Sequence, residues 1–336
     1  MDIGRSGVNL GCGDFQLITK DKSIICGRSM EFPISMSSQV TIYPKGEDYV
    51  STAPNGKKGL AWTSIYGFTG ISGLHLKGIV EGMNEKISFG VLTLLCSEYQ
   101  SVSVEQEEIA LSLMDVGAWI LGSFATVAEV KEAIKNVRIW GGHEKVLGTI
   151  PGLHIVLHDS LGNNGVIEFI GGEVFFYDNP NGVTTNDPPL PLQLKNLEKY
   201  KNLTPFSSDQ DLGSGMKDIP GSGSSKSRFV RISKDVEYGL KAETALDGII
   251  EAEHILNSVD ILKGMMAFKT DNEICYESTL WCTIKDLTNK IFIWRSYNDS
   301  TFRKIDLKRT DFNKKSYEKI DVQAKAPTFI DMTDQF

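Results

Sequence analysis

The chain has 336 residues, of which 41% are hydrophobic and 23% charged, and its formal net charge is −8 at pH 7. This composition is typical of a globular protein, and the acidic balance gives no reason to expect nucleic acid or an anionic membrane as a partner. No run approaches the roughly 18 continuous apolar residues that a membrane-spanning helix needs.

The first 11 residues, MDIGRSGVNLG, lack the apolar core of a signal peptide. We interpret them as a leader that is removed, either native or standing in place of an export signal, and residues 12–336 as a single domain. This pattern does not decide in which compartment the protein works. Export is favoured over a cytoplasmic location because a processed N-terminus is expected.

Two short strands are predicted directly after Cys12. FQLIT alternates apolar and polar residues, SIICGRSM is rich in β-branched residues, and KDKS between them forms a polar turn. Further strands, separated by Gly and Asn turns, are predicted in SQVTIYPKG, GLAWTSIYGFTGI, GIVEGMNEKISFGVLTLL and GLHIVLHDSLGNNGVIEFIGGEVFFYDN.

Helical spacing of apolar residues first appears within residues 105–137. Leu111, Met114 and Trp119 fit one helix, and a second helix is predicted after Thr126, which suits an N-cap. Helices are also predicted in LQLKNLEKY, RFVRISKDVEYGL and ETALDGIIEAEHILNSVDIL, and a closing β-hairpin in STLWCTIKDLTNKIFIWRSY. Because strands and helices are segregated along the chain, the pattern predicts an α+β fold with antiparallel sheets.

The sequence contains no motif for a metal or a nucleotide cofactor, such as HExxH, a Walker loop or GxGxxG after a strand. His154 and His158 fall on one side of a predicted strand without a third ligand, so we interpret them as satisfied histidines and expect neither metal nor cofactor. The cysteines lack CxxC spacing. Four are interpreted as small buried hydrophobic residues: Cys26, Cys96, Cys275 and Cys282.

Cys12 differs from the other cysteines because it stands between two glycines and is followed by a hairpin that carries Arg28 and Glu31. If the chain began at Cys12, one residue would supply a thiol and an α-amine with a pKa of about 7.7–8.0, which is basic enough to activate the thiol. Arg28 would return beside Cys12 and favour its thiolate, and Glu31 would accept hydrogen bonds from the amine. In the alternative interpretation Cys12 packs in the core, and Arg28 and Glu31 pair on the surface.

The segment CGDFQLITKDKSIICGRSMEFP resembles the start of the choloylglycine hydrolase and penicillin V acylase family of N-terminal-nucleophile hydrolases. Members begin with Cys, and one hairpin follows. After the hairpin comes a six-residue motif: Gly, Arg, Ser or Thr, Met, Asp or Glu, and Phe or Trp. Later blocks resemble the family in the same order, over roughly residues 12–307: LAWTSIYGFTGI, VEGMNEKISFGVL, YDNPNGVTTNDP, GSSKSRFVR and TLWCTIKDLTNKIFIWRSYNDSTFRKIDL.

The resemblance implies an αββα sandwich of two mainly antiparallel sheets that hydrolyses a linear amide. The expected substrate is a conjugated bile salt or a related N-acyl compound, with no cofactor and with assembly into a homo-oligomer, a dimer or tetramer. Alternatives are an acylase for penicillin V, N-acyl homoserine lactones or fatty-acid amides, and a catalytically silent binding protein if the leader is retained.

The resemblance also assigns roles at the matching positions. Cys12 is the nucleophile that forms a thioester, Arg28 lies beside the thiol, and Glu31 replaces the more common Asp. Asn186 binds the oxyanion, and Arg228 supports the charged transition state. Residues 207–227, which composition alone marks as a linker, then become a loop leading to Arg228 at the mouth of the pocket.

Two departures from the family bear on activity. Cleavage between Gly11 and Cys12 is required, because a Cys inside a peptide bond has no basic amine. NEKIS stands where the family has Asn-Glu-Lys-Gly-Leu, so the position that shapes substrate choice falls near Thr93. Thr93 and Asn84 are therefore the expected substrate-binding residues.

Overall fold

The computed structural model describes residues 11–206, 215–269 and 273–335. Within these ranges the chain forms nineteen strands and five α-helices. The strands are β1 Cys12–Ile18, β2 Ile24–Phe32, β3 Gln39–Tyr43, β4 Asp48–Thr52, β5 Lys58–Thr63, β6 Phe68–Ser72, β7 Ile79–Asn84, β8 Ile87–Thr93, β9 Ala110–Ser112, β10 Arg138–Trp140, β11 Leu153–Asp159, β12 Asn164–Ile170, β13 Glu173–Asp178, β14 Val183–Thr184, β15 Met266–Lys269, β16 Ile274–Asp286, β17 Ile291–Ser296, β18 Asp299–Asp306 and β19 Ile320–Asp321. The helices are α1 Val116–Ser123, α2 Val127–Ala133, α3 Leu190–Leu197, α4 Ser225–Tyr238 and α5 Ala245–Ser258.

Two large antiparallel sheets organise the described part of the chain. The first has the order β14-β1-β2-β16-β17-β18, with β15 paired to β16, and the second has the order β13-β12-β11-β8-β7-β6-β3-β19. Two short pairs lie outside them: β4 with β5, and β9 with β10, which run parallel. In the first sheet Cys12 is opposite Met30, and Asp14 is opposite Arg28. The register therefore fixes which side chains surround Cys12.

Helices cover the two sheets. Helices α4 and α5 pack against β1, β2 and β16 of the first sheet, and α1 packs against β7 and β8 of the second. Apolar side chains of α1 and α2 form a core with the second sheet, centred on Val116, Ile120 and Val130. A second core joins the two sheets to α4 and α5. The layers are thus helix, sheet, sheet and helix, which confirms the predicted α+β architecture.

The region between residues 104 and 137 confirms one predicted helix and corrects the other. Helix α2 begins after Thr126, whose hydroxyl accepts from the backbone N–H of Glu129, while the Glu129 carboxylate accepts from that of Thr126. This is the capping box that stabilises a helix start. The prediction for Leu111 was wrong: it lies in β9, fully buried and paired with β10, and α1 begins only at Val116. A short, fully buried strand shows no alternation, so its apolar residues imitate helical spacing.

Three further predictions concern single segments. Cys96 is exposed, so its interpretation as a buried hydrophobic residue was wrong, whereas the other three cysteines of that group are buried. Part of the predicted loop 207–227, residues 207–214, lies outside the described residues, and Ser225 already begins α4. Among the helices described here, none is both long and apolar enough to cross a membrane.

Candidate active site

Cys12 is the first residue of β1 and is buried, with 2% of its surface exposed. Its Sγ lies 3.9 Å from Met30 Sδ, 4.0 Å from Arg28 Nη2 and 4.0 Å from the carbonyl oxygen of Glu31. Burial raises the pKa of the Cys12 thiol, while Arg28 and, more weakly, Arg228 act to lower it. The apolar setting of the thiol thus opposes the thiolate, and the cationic groups nearby favour it.

The two glycines beside Cys12 lie in closely packed surroundings. A Cβ on Gly13 would lie 2.9 Å from Ile232 Cδ1 of α4, and a Cβ on Gly11 would lie 3.0 Å from a Glu277 carboxylate oxygen. Real Cβ atoms are rarely this close to a neighbour, so a larger residue at either position would require the facing side chain to shift. The two glycines therefore allow close packing on both sides of Cys12 along the chain.

Asn186 follows β14 and connects Cys12 to the end of β8. Its Oδ1 accepts from the backbone N–H of Cys12 at 2.5 Å and from Arg228 Nη2 at 2.9 Å. Its Nδ2 donates to the carbonyl and hydroxyl oxygens of Thr93 at 3.0 and 2.7 Å. The structure thus brings Asn186, Arg228 and Thr93 to Cys12.

Arg228 lies in the first turn of α4 and is fully buried. Its Nη1 donates to the carbonyl oxygen of Cys12, and its Nε donates to the carbonyl oxygen of Gly223 at 2.9 Å. The expectation that Arg228 stands at the mouth of the pocket was wrong, because α4 packs on β1 and carries the side chain inward. The guanidinium therefore connects the segment that precedes α4 to the first residue of β1.

Arg28 is fully buried and pairs with Glu81 of the second sheet, not with Glu31. Its Nη1 donates to Glu81 Oε2 at 2.8 Å and to the carbonyl oxygen of Val80 at 2.6 Å, and its Nη2 donates to the carbonyl oxygen of Val91. The guanidinium also lies over the Trp281 ring, 5.5 Å from its centroid. These contacts fix a positive charge beside the thiol.

Glu31 is fully buried on β2, so the predicted alternative of a surface ion pair does not hold. Thr279 Oγ1 donates to its Oε1 at 2.7 Å, Ser29 Oγ donates to its Oε2 at 3.1 Å, and its backbone N–H donates to the carbonyl oxygen of Gly11 at 3.2 Å. Burial raises the pKa of Glu31 to about 7, although Arg228 and the two hydroxyls oppose that rise.

Glu277 belongs to the same group and was missed by the sequence reasoning. It is buried on β16, with 1% of its surface exposed, and its Oε1 accepts from the backbone N–H of Gly11. Burial raises the pKa of its carboxyl. The available signal was a single carboxylate in the strand-like run ICYESTLW.

A chain of buried charges leads away from Arg28 between the sheets. Glu81 also binds Lys285, whose Nζ lies 3.9 Å from Asp14 Oδ2, and Asp14 Oδ1 lies 2.5 Å from His158 Nε2. All four of these side chains are fully buried. His158 is the satisfied core histidine that was predicted. Across the described ranges no group of residues suits a metal ion.

A mostly apolar cavity is lined in part by Cys12. Among the described residues that line it, none is charged, and Thr93, Ser97 and Thr149 supply the hydroxyl groups. The other lining residues include Met30, Phe32, Met36, Leu74, Leu76, Ile79, Val80, Val91, Leu113, Met114, Leu147, Ile150 and Leu153. Such a cavity suits an uncharged, largely apolar group placed against the sulfur.

Asn84 differs from the other predicted site residues, because its hydrogen bonds connect it neither to Cys12 nor to the residues around Cys12. Its Nδ2 donates to the carbonyl oxygens of Leu121 and Phe124, each at 2.8 Å. Its Oδ1 accepts from the backbone N–H groups of Lys86 and Ile87. These four hydrogen bonds fix the β7–β8 turn against the end of α1, which leaves the amide committed to structure.

Comparison with known proteins shows which family and which relatives this chain resembles. A family model described as linear amide C–N hydrolases, choloylglycine hydrolase family, matches residues 12–321. A bile salt hydrolase/transferase of Lactiplantibacillus plantarum is 29% identical over 295 residues, covering 84% of this chain and 88% of that protein. Penicillin V acylase of Pectobacterium atrosepticum is 26% identical over 329 residues, covering 91% of this chain and 84% of that protein.

The fold has solved counterparts. A mutant conjugated bile acid hydrolase from Clostridium perfringens superposes with a TM-score of 0.77 at 23% identity, over 96% of this chain and 100% of that one. The layering predicted from the resemblance, that of N-terminal-nucleophile hydrolases, is thereby confirmed. Because the family model covers nearly the whole chain from Cys12 onward, the protein belongs to the choloylglycine hydrolase family of linear amide C–N hydrolases.

Proposed function

We propose that this hydrolase cleaves N-acyl amides through a thioester on Cys12, after the bond between Gly11 and Cys12 has been broken. The observation that carries the proposal is the position of Cys12, whose buried thiol lies 4.0 Å from Arg28 Nη2 and which lines a cavity without charged residues among the described lining. A thiol needed only for packing does not require a guanidinium beside it.

Activation of the thiol requires a base. Burial raises the pKa of the Cys12 thiol, and a cysteine of ordinary pKa is only a few per cent thiolate at pH 7. A free α-amine on Cys12 titrates at about 7.7–8.0 and would accept the thiol proton. Asn186 Oδ1, which accepts from the Cys12 nitrogen, would orient that amine.

The reaction then follows the chemistry of acyl transfer. The thiolate attacks the amide carbonyl, and Asn186 Nδ2 donates to the developing oxyanion, a contact for which it must share or leave Thr93. The Cys12 amine protonates the departing nitrogen, and water hydrolyses the thioester. Arg228, bound to the Cys12 carbonyl and to Asn186, keeps both groups in place.

The lining of the cavity favours an acyl group without charge. The names of the relatives suggest which classes of N-acyl compound to consider as substrates. One relative bears the name bile salt hydrolase/transferase and another penicillin V acylase. We therefore propose a conjugated bile salt or a related N-acyl compound as substrate, with Thr93 contacting it. Penicillin V, N-acyl homoserine lactones and fatty-acid amides are the competing substrates.

A release assay tests the proposal. Glycocholate, penicillin V and an N-acyl homoserine lactone are supplied separately to protein whose N-terminus is Cys12, and the released amine is quantified. Cys12→Ala is expected to lower kcat/KM by more than about a thousandfold on any substrate that is cleaved. Cys96→Ala, at the exposed cysteine, is the matched control and should retain activity. Full turnover by Cys12→Ala would contradict the proposal.

A further inference from the structure

The side chain of Gln193 lies where two functional segments of the chain meet. Gln193 belongs to α3 and is buried, with 2% of its surface exposed. Its Nε2 donates to the carbonyl oxygens of Asn186 and Asp187 at 3.0 and 3.2 Å. The same nitrogen contacts the hydroxyl oxygens of Thr185 and Ser225 at 3.2 and 2.9 Å. One amide nitrogen therefore joins the segment that carries Asn186 to the first residue of α4.

The orientation of this amide follows from its neighbours. Carbonyl oxygens accept hydrogen bonds but cannot donate them, so the side of Gln193 that faces Asn186 and Asp187 must be the nitrogen. On the other side, Gln193 Oε1 is buried and has no hydrogen-bond partner within the described residues. Because a buried acceptor without a partner destabilises the fold, stability alone gives little reason for a glutamine at this position.

Helix α3 holds Gln193 in place. The first residue of the helix, Leu190, donates its backbone N–H to Glu168 Oε1 of β12 at 2.8 Å. Glu168 is fully buried, and His154 Nδ1 of β11 lies 3.3 Å from the same oxygen. The helix also packs against α4. Gln193 therefore acts from an element that is anchored on the second sheet.

The contacts of Gln193 bear on the geometry of Asn186. Asn186 Oδ1 accepts from the Cys12 nitrogen, and its Nδ2 donates to Thr93. In the proposed reaction this Nδ2 must share or leave Thr93 in order to reach the oxyanion. The side chain can turn in this way and stay close to Cys12 only if its backbone remains fixed. Gln193 holds the carbonyl group of that backbone.

We propose that Gln193 is a positioning residue for amide hydrolysis, because it fixes the Asn186 backbone relative to Cys12 and to the start of α4. This inference rests on the proposed function, in which Asn186 Nδ2 stabilises the oxyanion. Gln193 is not among the described residues that line the cavity, so it acts on the reaction through Asn186. Its effect therefore belongs to the transition state more than to substrate binding.

Gln193→Met tests this role in protein whose N-terminus is Cys12. Methionine has a similar length but no donor, so the Asn186 carbonyl loses its partner. A misplacement of about 1 Å near a reacting group can cost about a hundredfold in rate. On the substrate that the wild type cleaves fastest, we expect kcat/KM to fall about tenfold to a hundredfold, with KM changed less than about threefold.

Two further variants accompany Gln193→Met. Gln323→Met makes the same change where a glutamine Nε2 donates to the carbonyl oxygen of Leu280 at 2.6 Å, and it should keep the wild-type kcat/KM. Gln193→Glu retains one donor while its carboxyl is protonated, a state that burial against carbonyl oxygens favours. Relative to the wild type at the same pH, its loss should be smaller than that of Gln193→Met at low pH and should grow as pH rises. A loss caused only by poorer folding would not follow pH in this way.

A pair of analogues separates positioning from a general loss of structure. The aldehyde of the substrate acyl group adds to Cys12: Sγ forms a bond to the carbonyl carbon, the C=O π bond opens, and the thiol proton ends on the oxygen. This tetrahedral adduct places an oxygen where the oxyanion develops, whereas the matching alcohol cannot form it. Gln193→Met should weaken inhibition by the aldehyde by the same factor as kcat/KM and leave inhibition by the alcohol unchanged.

Asn186→Ala completes the test, with an expected loss of about a hundredfold to a thousandfold in kcat/KM. Wild-type kcat/KM in Gln193→Met, or equally weakened inhibition by aldehyde and alcohol, would overturn the positioning role and leave the proposed function standing. Full activity of Asn186→Ala would instead refute the role of Asn186 in the proposed function.

Discussion

Glu31 lies in a buried site at the end of β2, with Ser29 and Thr279 donating to its carboxylate. These two hydroxyls do not offset the loss of water, and burial raises the pKa of Glu31 to about 7 from an ordinary 4.5. An acid with a raised pKa in the folded state stabilises the fold while it is protonated. The carboxyl therefore links the stability of the site to pH.

We predict that the free energy of unfolding depends on pH differently in the protein with Glu31 and in its Glu31→Gln variant. Both proteins carry Cys12→Ala and retain Gly11. The Glu31 contribution is fully present below pH 4.5 and is lost as pH rises through about 7. Relative to the Gln variant, the Glu31 protein should lose about 3 kcal/mol of unfolding free energy over that window. Denaturant titrations at several pH values measure it, and parallel curves for the two proteins would contradict it.

At this scale the sequence identified more of the site through the family resemblance than through residue chemistry alone. Cys12, Arg28 and Asn186 were expected together and lie together. Glu81 and Glu277 were not found, because charged residues within a strand give no sign of which sheet face they occupy until the sheets are packed.

Helix α2 and strand β9 show where local sequence decides an element and where it does not. Thr126 and Glu129 cap α2 reciprocally, a feature that depends on residues three apart and is visible in the sequence. Strand β9 forms because Leu111 pairs with β10, some 28 residues later. Long-range pairing of this kind leaves no local signal, so the predicted helix was wrong at Leu111, although Trp119 of the same prediction lies in α1.

Removal of the cap has a defined expected cost. Thr126→Ala leaves the backbone N–H of Glu129 without its hydroxyl acceptor and should lower the free energy of unfolding by about 1 kcal/mol. Thr126→Ser keeps the hydroxyl and serves as the control, with a loss well below that of Ala. Equal stability of the Ala variant and the wild type in denaturant unfolding would refute the assigned cap.

The whole molecule depends on charges buried between its two sheets as well as on apolar contacts. Lys285 of the first sheet binds Glu81 of the second, and Asp14 of the first binds His158 of the second. Each of these side chains is fully buried. Because the sites for Arg28 and Glu81 arise only when the sheets meet, the active-site geometry and the sheet packing form together.

Lys285→Met tests that dependence. Removal of one member of a buried ionic group leaves the others without compensation and typically costs about 3–5 kcal/mol. The matched control is Lys290→Met, which breaks a partly exposed pair with Glu85 and should cost about 1 kcal/mol or less. Unfolding free energies measured in denaturant decide the matter, and similar losses for the two variants would contradict the prediction.

Three methionines border the cavity, and one of them, Met30, has its sulfur 3.9 Å from Cys12 Sγ. Sulfoxide formation turns such a side chain polar, and it is reversed by reductases. If the cavity holds the acyl group as proposed, oxidation of Met36 and Met114 would alter the affinity for that group separately from any damage to the thiol. Under the proposed function, the lining would give the protein two chemically distinct routes to oxidative inactivation, of which the methionine route is open to enzymatic repair.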